Sequence, residues 1–140
     1  MTISRIESQR VRMRKTTDKG TDIGLTLEPS TILKNGDVLY QESDKMIVVD
    51  LEPENVAVLA FKHEDASVDE LFEVAVKVGH AIGNLHRPIK VCGEKVFLPI
   101  QADSEIELLT KILAPILDNL SITQTKMVFE PEEGLHTHEH

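Results

Sequence analysis

The apolar pattern changes character at Leu51-Glu52-Pro53-Glu54-Asn55, and this change constrains the fold more than any other feature of the chain. Before it, apolar residues recur with a period of two, the mark of strands with one solvated face. Ile23, Leu25 and Leu27 alternate with Asp22, Gly24 and Thr26, and Val11 and Met13 alternate with Arg10, Arg12 and Arg14. Lys34-Asn35-Gly36-Asp37 and Glu42-Ser43-Asp44-Lys45 are turn signals, the first carrying an Asn-Gly pair suited to positive φ. Short strands at this spacing predict a small β barrel or sandwich over residues 1–54. With 140 residues, the chain is long enough for two such small units.

After the break the period becomes mixed. Val56–Phe61 is a continuous apolar run with the length of a buried strand. Ser67-Val68-Asp69-Glu70 is a capping box, and Val68, Leu71, Phe72, Ala75, Val78, Gly79 and Ile82 then fall on one predicted helical face. Gly83-Asn84 reads as the stop. Strands are predicted at 89–91 and 95–100 around a Gly93-Glu94 turn. Ser104-Glu105-Ile106-Glu107 reads as a second capping box, opening a helix through Leu109, Ile112, Leu113, Ile116 and Leu117 that Pro115 kinks or ends. A last strand is expected over 122–129. The order βαββαβ over 55–130 is the ferredoxin-like arrangement. The expected class is therefore α+β, with a small all-β N-terminal domain followed by a ferredoxin-like domain. Residues 131–140, acidic and marked by Pro and Gly, are expected to form a mobile tail.

Composition narrows the function. The net charge of −9 argues against nucleic-acid binding, which relies on clustered Lys and Arg. Residues 1–20 run against that balance, with six basic and two acidic side chains, and read as a strand with a solvated basic face or as a docking face for an acidic partner. No apolar run approaches the roughly 18 residues of a membrane span, the first residues lack a secretory apolar stretch, and the single cysteine, Cys92, allows no internal disulfide. A cytoplasmic location with no membrane association is expected. No phosphate loop, no His-Glu-x-x-His motif and no paired acid and base stand out, so an enzyme, for example a metal-dependent hydrolase, is disfavoured.

The strongest chemical signal is His136-x-His138-x-His140, since neutral imidazole suits Ni²⁺, Zn²⁺ and Cu²⁺. The second is His80-Ala81-Ile82-Gly83-Asn84-Leu85-His86-Arg87-Pro88 at the end of the first predicted helix. On spacing alone, His86 and, still more, His80 are better explained as ordinary helix-end or surface side chains than as ligands, and His63 as an exposed loop residue. A sensing or scaffolding ferredoxin-like domain with an incidental histidine tail is the alternative that these residues leave open.

Gly83-Asn84-Leu85-His86-Arg87-Pro88 resembles the Gly-Asn-x-His-x-Pro signature of the urease accessory nickel chaperones, the UreE family. Gly20-Thr21-Asp22-Ile23 followed by Gly36-Asp37-Val38-Leu39-Tyr40 resembles that family's N-terminal domain, and the βαββαβ order and the histidine-bearing tail are similar as well. The resemblance implies a non-catalytic carrier with a peptide-binding-like β domain and a metal-binding second domain that forms homodimers. It implies that the signature histidine, matched by His86, meets its symmetry mate and binds one Ni²⁺, with His136, His138 and His140 adding ligands and Zn²⁺ or Cu²⁺ accepted in vitro. The implied partners are urease apoprotein and its accessory GTPase complex. Pro99-Ile100-Gln101 stands roughly where some members carry a further His-x-His pair, which puts an extra site on the folded domain in doubt.

Overall fold

The computed structural model describes residues 1–131. The chain is mixed α/β and divides into two compact units, Met1–Pro53 and a second beginning at Glu54.

The first unit contains β1 (Thr2–Ile3), β2 (Arg12–Thr16), β3 (Asp22–Thr26), β4 (Val38–Glu42), β5 (Lys45–Val48) and β6 (Asp50–Leu51). These form three separate two-stranded ladders: β1 with β6, parallel, and β2 with β3 and β4 with β5, antiparallel. The expected barrel or sandwich is replaced by these ladders. Strands of two to five residues are too short to close a barrel, and the β4–β5 register slips between Val38 and Tyr40. The Asn-Gly turn forms as predicted, with Gly36 at φ 90° and the Asn35 side chain accepting from Leu51 N–H at 2.9 Å. Met1, Ile3, Leu33, Ile47, Val49 and Leu51 are the buried apolar residues here.

A helical turn at Glu7–Gln9 escaped the sequence reading. Its signal is Ser4-Arg5-Ile6-Glu7: Ser4 N–H donates to Glu7 Oε1 and Glu7 N–H donates to Ser4 Oγ, each at 3.1 Å. Two of the basic side chains nearby pair with carboxylates within this unit. Arg14 Nη2 lies 2.5 Å from Asp22, and Lys15 Nζ lies 2.7 Å from Glu7.

The second unit runs β7 (Glu54–Phe61), α1 (Val68–Asn84), β8 (Lys90–Cys92), β9 (Lys95–Pro99), α2 (Ser104–Ile112) and β10 (Leu120–Met127). Its sheet has the order β10-β7-β9-β8, antiparallel throughout. Alternate residues of the central strands, Ala57 and Leu59 on β7 and Val96 and Leu98 on β9, join Val74, Val78, Ala81 and Ile82 of α1 and Leu109 of α2 in one core. The Ser67 cap forms, its hydroxyl accepting from Glu70 N–H at 3.1 Å.

Two local expectations are corrected. The inward face of α1 is rotated: Val74, Val78, Ala81 and Ile82 are buried, whereas Val68, Phe72, Ala75 and Gly79 are exposed. The helix is apolar on two faces, so the spacing alone admits both rotations, and the sheet selects one. The second capping box does not form. Asp103 precedes the helix without a capping bond, its carboxylate accepting instead from Gln124 Nε2 at 3.0 Å, and Ser104 is already helical. The expected break at Pro115 does occur: α2 ends at Ile112 and a tighter turn over Ala114–Asn119 follows, because Pro115 has no N–H to continue the ladder.

Candidate metal centre

Helix α1 ends at Asn84, as the Gly83-Asn84 stop predicts, with Leu85 as its C-cap. Leu85 N–H donates to the Ile82 carbonyl at 3.0 Å and His86 N–H to the Gly83 carbonyl at 3.2 Å. His86, not a glycine, takes the left-handed conformation that ends the helix, with φ 53°. Such a φ is uncommon for any residue with a Cβ, although histidine tolerates it better than most. Pro88 then prevents further helix, and it is buried. Between these fixed points the His86 side chain is exposed.

The neighbouring surface is apolar. Val68, Phe72 and Val76 are 82%, 71% and 53% exposed. With Ala75, Gly79 and Gly83, also exposed, they form an outward stripe of about 100° around α1. A Cβ added at Gly79 or Gly83 would meet nothing within 4 Å, so the stripe becomes shallow towards its C-terminal end, where His86 follows. The polar strip of the helix is narrow and includes Glu73, whose carboxyl Lys77 Nζ holds below its ordinary value through a 2.6 Å hydrogen bond.

His80 is exposed on α1 beside a groove of about 390 Å³ lined by Val76, Lys77, Asn84, Ile112 and Pro115. His63 pairs with Glu94, 2.8 Å apart, at the β8–β9 turn. Cys92 is exposed at the end of β8. Among the described residues, no three of His, Cys, Asp and Glu are grouped so as to hold a metal ion. The predicted ligands His136, His138 and His140 lie outside the described residues. Among the described residues, the exposed imidazole at position 86 is thus a one-point ligand, and tight metal binding there needs further donors.

Sequence reasoning missed two residues beside His86. Arg87 Nη2 lies 2.5 Å from Glu105 Oε1, and Arg87 Nη1 donates to the Pro99 carbonyl at 3.3 Å. The other Glu105 oxygen accepts from Gln101 N–H. Eighteen residues separate the pair, and no periodic signal links them.

Among the described residues no helix is long and apolar enough to cross a membrane. Residues 2–52 match the family model described as UreE urease accessory protein, N-terminal domain. The chain is 34% identical over 97 residues to the urease accessory protein UreE of Yersinia intermedia, covering 67% of this chain and 43% of that protein. It is 29% identical over 150 residues to that of Yersinia mollaretii, covering 96% and 65%, and 34% identical over 100 residues to that of Natronomonas pharaonis, covering 71% and 45%. The chain thus spans from under half to 65% of the length of these relatives. On the match over its first unit and its likeness to these proteins, the chain belongs to the UreE family of urease accessory proteins.

Proposed function

We propose that this protein is a cytoplasmic, non-catalytic carrier that binds Ni²⁺ as cargo at a site built from two copies of His86 across a homodimer axis, and delivers it for urease assembly. The observation that carries the reading is the position of His86: an exposed imidazole in a left-handed turn, directly after a helix whose outward face is apolar. A two-fold interface is isologous, so one residue near its axis supplies two ligands. Val68, Phe72 and Val76 are the side chains such an interface would bury.

Two imidazoles leave nickel coordinatively unsaturated, unlike a closed structural site. Donors from His136, His138 and His140 on the same chain complete the shell and then exchange away, which suits transfer rather than storage. Urease apoprotein and its accessory GTPase complex are the recipients in this account, and the first unit is the surface that meets partners. The reading includes a ferredoxin-like second unit, supported by the βαββαβ order, the antiparallel strand order β10-β7-β9-β8 and a core shared by both helices and one sheet face.

The test is calorimetric nickel titration of the full chain and of a chain lacking residues 135–140, with mass measured in parallel. The expected result is one tight Ni²⁺ per dimer, weakened but kept after truncation. Complete loss on truncation would place the site on the removed residues.

A further inference from the structure

We infer that Arg87 and Glu105 are positioning residues that aim the His86 imidazole, an inference that rests on the reading of His86 as a nickel ligand. The turn that carries His86 is pinned on both sides. On the helix side, the His86 amide is tied back to Gly83 O at 3.2 Å. On the other side, the Arg87 guanidinium reaches two separate segments: the Pro99 carbonyl at the end of β9, at 3.3 Å, and Glu105 in the first turn of α2, at 2.5 Å. Glu105 is itself held by the Gln101 amide through its second oxygen. The two side chains are only 18% and 25% exposed, so water competes weakly for either charge.

This arrangement does something that hydrophobic packing of the turn would not. A left-handed residue sits in a small allowed region, and the direction of its Cα–Cβ bond, from which the imidazole is aimed, follows from the φ and ψ that its neighbours impose. Pro88 biases Arg87 towards an extended backbone, and the guanidinium fork then fixes the peptide between residues 86 and 87 against two elements of the core. His86 is left as the unpinned side chain between two pinned neighbours. A symmetric two-imidazole site is sensitive to such aim, because any error in one protomer is repeated in the other. Lysine cannot reproduce the two-point contact, since it is a point donor on a flexible stem. Glutamine at 105 keeps an acceptor for Arg87 or for the Gln101 amide, but not the charge that serves both.

The test is calorimetric nickel titration of the full-length protein carrying Glu105→Gln or Arg87→Lys, each with and without His86→Ala, with circular dichroism and mass read on every sample. Partners that orient metal-bound histidines typically contribute 10-fold to 100-fold in affinity, and this pair acts one peptide bond away. The expected result is about a 10-fold loss of nickel affinity in both single variants, which remain folded and dimeric, and no further loss from either substitution once His86 is alanine. Should Glu105→Gln fail to fold, Arg87→Lys, which keeps the charge and the apolar stem, carries the test. Unchanged affinity in the folded single variants would overturn the positioning role while leaving the His86 site standing. An equal loss with and without His86 would also overturn it, since the pair would then act elsewhere. Parent-like nickel binding in His86→Ala alone would overturn the site itself and the positioning role with it.

Discussion

The His86 amide donates to the Gly83 carbonyl across 3.2 Å, and the residue that makes this helix-ending bond has φ 53°. A glycine would serve the backbone better at this point, because the left-handed region places Cβ against the carbonyl at about 1–2 kcal/mol for an ordinary residue. The fold therefore gives up stability to keep a side chain here. His86→Gly is expected to melt a few degrees above His86→Ala, in keeping with the several degrees per kcal/mol typical of units this small. Thermal denaturation of the two metal-free variants reads the difference. An alanine variant as stable as the glycine one would mean that the turn relaxes and stores no strain.

Phe72 and Val68 lie on the outward face of α1, and neither belongs to the buried core. Phe72→Glu is expected to leave the fold within about 0.5 kcal/mol of the parent, as exposed substitutions usually do, while shifting the particle from dimer to monomer at micromolar concentration. Light scattering and circular dichroism read the two effects separately. A dimer that survives the charge would move the interface away from this face.

Glu7 accepts from Ser4 N–H and pairs with Lys15, and the Lys15 hydrogen bond is the chief reason that its carboxyl is held below the ordinary 4.5. A carboxyl with a depressed folded pKa adds stability above its unfolded value and loses it as pH falls through the folded value. The first unit should therefore lose stability as pH drops below about 4.5. Lys15→Ala should bring the Glu7 titration back towards 4.5 and remove part of that acid sensitivity. Side-chain NMR titration of Glu7 in both proteins checks the shift. Identical titration curves would assign the depression to Ser4 alone.

Local chemistry was legible wherever neighbouring residues decide the outcome. The Asn35-Gly36 turn, the Ser67 cap and the buried strand at Val56–Phe61 each follow from a few adjacent side chains, and each forms. The rotation of α1 does not follow, because its apolar residues occupy two faces and only the sheet decides which turns inward. Ser104 failed as a cap for a related reason: the helix starts against β10, where Gln124 engages Asp103. At the candidate site, His86 stood out by resemblance rather than by spacing. Its Arg87–Glu105 support arises from a contact across eighteen residues, which no pattern along the chain encodes.

The central claim is that His86 from two protomers binds the cargo metal. It is tested most directly by nickel calorimetry on His86→Ala beside the parent, with the mass of each measured at the same concentration. The account predicts one tight Ni²⁺ per dimer in the parent and loss of that site in a variant that stays folded and dimeric. Tight binding at one nickel per dimer in His86→Ala would contradict it.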